Sequence, residues 1–106
     1  MANLMKLMKQ AASMQKDIER VQREVGERLV TCAAAGGGVT AEARCDGVLT
    51  AIKIDPRLLD PQDPELLADA VMTAVNGALA KAKETLAEEM GKVTAGLNLP
   101  GLGGLA

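Results

Sequence analysis

Residues 29–56 read LVTCAAAGGGVTAEARCDGVLTAIKIDP, and three short strands can be counted through them. Leu29 to Ala33 is a β-branched and small-residue run, and Gly36-Gly37-Gly38 behind it marks a turn. From Val39 to Cys45 the residues alternate: Val39, Ala41, Ala43 and Cys45 point to a core, and Thr40, Glu42 and Arg44 point to water. Asp46-Gly47 is a hairpin signal, because a type I′ turn needs positive φ at both central positions and this pair tolerates it. A third strand follows from Val48 to Ile54. Asp55-Pro56 ends it, since proline has no ladder donor and restricts the residue before it. The stretch therefore predicts a three-stranded antiparallel meander.

Outward from the meander, both flanks have helical period. On the N-terminal side Leu4, Leu7, Ala11, Met14, Ile18, Val21 and Val25 recur at intervals of three and four, the a/d pattern of three heptads. The spacing predicts a helix from Asn3, a candidate N-cap, to about Gly26, roughly 35 Å long. Its seam suits either packing within the chain or contact with a second subunit. The opposite c/f positions hold Lys6, Lys9, Lys16, Arg20 and Arg23, with Ser13 and Glu27 among them. Such a face is either a solvated surface or a basic stripe. Glu19 with Arg23, Arg20 with Glu24 and Arg23 with Glu27 are spaced to brace the helix as ion pairs.

On the C-terminal side, Asp63 reads as an N-cap and Pro64 as the first residue of a second long helix, which runs to about Thr94 with Gly96 as its cap. The expected apolar line is Leu67, Val71, Val75, Ala78, Ala82, Leu86, Met90 and Val93. Gly77 is a weak point in the helix interior, costing about 1 kcal/mol relative to alanine. Residues 97–106, punctuated by Pro100, Gly101, Gly103 and Gly104, read as a flexible tail. The chain is thus expected to be one α+β domain, α-β-β-β-α, over residues 1–96.

Composition narrows the function. The 106 residues include no aromatic residue and no histidine. A core of Leu, Val, Ile, Met and Ala alone favours oligomerisation, and stacking of single-stranded bases on aromatic rings is excluded as a binding mode. Net charge is −2, but residues 1–28 hold six Lys and Arg against four Asp and Glu, while residues 29–106 hold six against ten. Binding to an anionic polymer must therefore use a local face and be salt-sensitive. Gly36-Gly37-Gly38 has no following Lys-Ser/Thr and leads into a strand, so it is not a phosphate loop. Cys32 and Cys45 fit no metal spacing and read as small strand residues, reduced in the cytosol. Neither a catalytic constellation nor a cofactor motif emerges. No apolar run is long enough to span a bilayer and no signal peptide is present, so a cytoplasmic protein with no membrane partner and no small-molecule substrate is expected.

Particular words carry a family resemblance. Asn3-Leu4-Met5-Lys6, Met8-Lys9-Gln10-Ala11 and Met14-Gln15-Lys16 resemble the opening helix of the YbaB/EbfC family of bacterial nucleoid-associated proteins. Gly36-Gly37-Gly38-Val39, Asp46-Gly47, Ile52-Lys53-Ile54-Asp55-Pro56 and Leu58-Leu59 are similar to its glycine turn, second hairpin and exit. Asp69 to Ala78 and Gly91 to Leu99 are similar to its second-helix words and its ending. The resemblance implies a homodimer joined through the sheet region, with helices projecting as a tweezer-like pair. It also implies double-stranded DNA as partner, with a role in nucleoid organisation and gene regulation. On that reading Lys6, Lys9, Lys16, Arg20 and Arg23 contact the phosphate backbone, and neither metal nor cofactor takes part. The alternative is a protein-interaction module whose projecting helices clasp a partner helix along Leu4 to Val25.

Overall fold

The computed structural model describes residues 2–97, and the expected tail beyond Leu97 lies outside them. Helix α1 (Ala2–Gly26) leads into β1 (Leu29–Ala34), β2 (Val39–Arg44) and β3 (Leu49–Ile54), and α2 (Pro64–Leu97) closes the fold. The strands form one antiparallel sheet in the order β1-β2-β3. The α-β-β-β-α meander read from the sequence is therefore present. Helix α2 continues through the expected cap at Gly96, and α1 starts one residue ahead of the expected cap at Asn3, because Ala2 propagates a helix readily. Asp63 does cap α2: its Oδ1 accepts from the backbone N–H of Leu66 at 3.3 Å, with Pro64 in the first helical position.

The second turn differs from the expectation. Of the Asp46-Gly47 pair only Gly47 has positive φ, at 96°. The Gly47 N–H donates to the Arg44 carbonyl at 2.9 Å, and the Arg44 N–H to the Val48 carbonyl at 2.8 Å. The connection is thus an ordinary turn through Cys45 and Asp46 closed by one left-handed glycine, the longer of the common hairpin solutions, and not a two-residue type I′ turn. The ladder also slips by one residue between Glu42 and Ala43 opposite β3. Thr50, at that bulge, donates its hydroxyl to Glu42 on the sheet's outer face.

One sheet face is covered by α2. Val39, Ala41 and Ala43 of β2 are fully buried, as the alternation predicts, and Cys45 just beyond the strand is buried too. Against them lie Ala70, Ala74, Ala78 and Ala82, a row spaced by four along α2. The expected apolar line is wider in residue size: Leu67, Val71 and Val75 flank the alanine row half-buried instead of forming its centre. Small residues on both elements let the helix axis come close to the sheet, and the longer side chains fill the margins. Gly77, read as a weak point, lies where α2 passes close over Cys32 of β1. A β-carbon there would fall on the Cys32 Sγ.

Candidate nucleic-acid interface

Helix α2 is longer than the sheet it covers. Its 34 residues extend about 51 Å, and beyond the part that covers the sheet it packs beside α1, with Glu89 facing Arg28 at the foot of that helix. Met14, Ile18 and Val21 are half-buried and Val25 is buried, and on α2 Leu86, Met90 and Val93 are half-buried. The lower half of the α1 seam is therefore used within the chain. Leu4, Leu7 and Ala11, the upper half, are exposed. A partner helix clasped along the whole of Leu4 to Val25 is contradicted by this packing, because α2 occupies the positions from Met14 onward.

The root of α1 is tied to the sheet by backbone hydrogen bonds. The Asp46 N–H donates to the Gly26 carbonyl at 3.1 Å and the Cys45 N–H to the Arg28 carbonyl at 2.9 Å. Arg28 reaches across to Glu89 of α2 at 3.5 Å. Glu89 also accepts from Lys92 at 3.2 Å. That hydrogen bond, with the field of Lys92 and Arg28, holds the Glu89 carboxyl below the usual range. The paired helices thus project as a braced rod, and the molecule is 75 Å in its longest dimension.

All five cations of the basic stripe are exposed on α1. Lys9, Lys16 and Arg23 fall seven apart in one row, with Lys6 and Arg20 in the row beside it, on the side of the helix away from the seam. From Lys6 to Arg23 the stripe covers about 26 Å. The three expected bracing pairs, Glu19–Arg23, Arg20–Glu24 and Arg23–Glu27, do not form. Arg20 instead meets Asp17, one turn back, at 3.7 Å. Among the described residues Lys6, Lys9, Lys16 and Arg23 make no ion pair. On α2, Lys81 donates to the Thr31 carbonyl at 3.3 Å and Lys92 is held by Glu89, so two of that helix's lysines serve the fold. Among the described residues no three His, Cys, Asp or Glu side chains cluster to hold a metal ion, and no helix is long and apolar enough to cross a membrane.

Residues 1–97 match the model of the YbaB/EbfC DNA-binding family, which takes in both helices and the whole meander. The chain belongs to that family. It is 45% identical over 98 residues to a nucleoid-associated protein of Akkermansia muciniphila, a match covering 92% of this chain and 94% of that protein. A nucleoid-associated protein of Pelotomaculum thermopropionicum is 44% identical over 100 residues, covering 94% and 95%. In three dimensions the chain is similar to the crystal structure of an uncharacterized protein from Helicobacter pylori, with a TM-score of 0.63 at 24% identity over 74% of this chain and 82% of that one. That likeness concerns the fold. Within the YbaB/EbfC chain, the elements carrying the basic stripe and the meander are those the family model spans.

Proposed function

We propose that this protein is a non-enzymatic, nucleoid-associated DNA-binding protein of the cytoplasm, acting as a homodimer in nucleoid organisation and gene regulation. The observation that carries the reading is the row of cations, Lys6, Lys9, Lys16, Arg20 and Arg23, exposed on a braced helix whose apolar side is turned to α2 from Met14 onward. Membership of a DNA-binding family and relatives named nucleoid-associated support it. Binding proceeds by neutralising phosphates of double-stranded DNA and releasing their counterions, a mechanism that needs position and charge more than base contacts.

The dimer has its own support. Helix α2 lies across β1 and β2. The β3 residues Leu49 and Ile52, whose register with Ala43 and Ala41 turns them to the same side, stay exposed with Val48 beside them. An open edge strand with apolar residues is a surface that a soluble protein covers. Residues 1–96 of each subunit then act as one unit, and the charged rods project from the joined sheets.

Titration of unrelated duplexes at several salt concentrations tests the reading. The expected result is affinity that falls linearly with salt on a log–log plot and depends little on sequence. Absence of binding at low salt would overturn it.

A further inference from the structure

The first three turns of α1 carry more apolar surface than a helix partner uses. Leu4, Met5, Leu7 and Met8 are 60–66% exposed, and Ala11 and Ala12 next to them are exposed too. At 3.6 residues per turn these six residues cover about half of the helix circumference, whereas a helix-to-helix seam is a narrow a/d stripe. These turns and the one after them are free of negative charge. Residues 2–16 contain Lys6, Lys9 and Lys16 and no Asp or Glu. Lys9 and Lys16 fall on the border of the apolar arc beside Met5 and Ala12, Lys6 and Ser13 lie in the middle of the polar side, and Asn3 and Gln10 form the other border. Below residue 16 the pattern changes, with charges of both signs and a seam filled by α2.

An occupant of this arc must offer a broad apolar medium with negative charge at its boundary. DNA offers the charge alone, and contact through the lysines turns the arc away from it. The same arm of a second copy offers apolar surface but brings the Lys9 and Lys16 of a further chain to the rim of the contact, with no acid to meet them. An anionic bilayer surface offers both, since its acyl boundary receives the apolar arc and its headgroups meet lysines at the border.

We propose that the first three turns of α1 dock on an anionic lipid bilayer surface, with Leu4, Met5, Leu7 and Met8 in the acyl boundary and Lys9 and Lys16 extending to the headgroups. The expectation of no membrane partner rests on the missing apolar span, and lying on a surface needs none. Docking stands independently of the DNA reading. Where both hold, Lys9 and Lys16 are shared and lipid competes with DNA for the arm.

The test sediments the full chain, without DNA, with vesicles of phosphatidylglycerol and phosphatidylethanolamine and, separately, of phosphatidylcholine. The wild type pelleting with the anionic vesicles, at least about tenfold more strongly than with phosphatidylcholine, is the expected result. The variant Leu4→Gln/Leu7→Gln/Met8→Gln keeps helix propensity and all charges. It is expected to lose vesicle binding by about tenfold or more while keeping the wild-type melting temperature, sedimenting mass and DNA affinity. No pelleting of the wild type at low salt overturns the proposal, as does equal pelleting of the variant, which would reduce the effect to charge. A lower melting temperature or mass in the variant would mean that the chain itself or a second copy covers the face, and a loss of DNA affinity would give it to DNA. Each overturns lipid docking. A wild type that binds vesicles but no DNA leaves docking intact and removes the DNA reading.

Discussion

Gly47 and Gly77 are both required by this fold, for opposite reasons. Around Gly47 there is open space, so a side chain would meet nothing, but its φ of 96° is strained for any L-residue. Gly47→Ala is expected to cost about 1–2 kcal/mol from backbone strain alone. Gly77 sits in regular helix, where alanine would gain about 1 kcal/mol from propensity. Its added methyl, however, falls on the Cys32 Sγ, and forcing a group into so close an approach costs typically about 1–3 kcal/mol. Gly77→Ala is therefore expected to destabilise by about 1 kcal/mol, and Cys32→Ala in the same chain to return most of the loss. Urea unfolding of the two single variants and the double variant measures the coupling; a Gly77→Ala single variant more stable than wild type would refute the close approach. The free thiols Cys32 and Cys45 are packing residues on this account, so Cys32→Ala/Cys45→Ala should leave DNA binding unchanged in a folded protein, and a folded double variant with abolished binding would reveal a role for a thiol.

At the level of elements, the stripe and the brace can be tested separately. Replacing Lys9, Lys16 and Arg23 with glutamine removes one row of α1 at nearly constant helix propensity. DNA affinity is expected to fall alike on unrelated duplexes, and the log–log salt slope to flatten by about 0.9 for each phosphate that is no longer neutralised. Unchanged affinity and slope in a correctly folded triple variant would move the DNA-binding surface off the row Lys9, Lys16 and Arg23. The charge cluster at Glu89, made by Lys92 on the same helix and by Arg28 just after α1, is pH-dependent. Because Lys92 and Arg28 hold the Glu89 carboxyl below its ordinary range, Glu89 contributes stability above about pH 4.3, the ordinary Glu value, and that contribution disappears as pH falls through the lowered native value. Asp55 has the same sign through the Arg57 guanidinium and backbone N–H. Denaturant midpoints followed into acid should therefore decline less steeply for Glu89→Gln than for wild type, and parallel acid limbs would show that the Glu89 cluster contributes nothing measurable.

As a whole molecule, the chain has a thin core of alanines and valines under a sheet whose third strand is left open. Sedimentation equilibrium at micromolar concentration is expected to give the mass of two chains, and Leu49→Asp/Ile52→Lys to give one. A monomeric wild type would end the tweezer arrangement. Much of the architecture is visible in local chemistry alone. The alternation Val39-Ala41-Ala43, the turn at Asp46-Gly47, the cap at Asp63 with Pro64 and the heptad spacing on α1 each act over a few residues, where side-chain period and backbone preference suffice to decide structure. The row Lys6, Lys9, Lys16, Arg20 and Arg23 is likewise set by helical period once the helix exists. Choices between partners at a distance are not decided locally. Both α1 and α2 carry apolar stripes that suit several neighbours, and only the folded chain shows that Ala70, Ala74, Ala78 and Ala82 take the sheet, that α2 also packs on α1, and that among the described residues nothing covers Leu4 and Leu7. The bracing ion pairs are absent for the same reason, since i,i+4 spacing permits a pair without selecting it over solvent or over Asp17. Period determines which face of an element is apolar; the lengths of the elements and the depth of their mutual approach determine what that face meets.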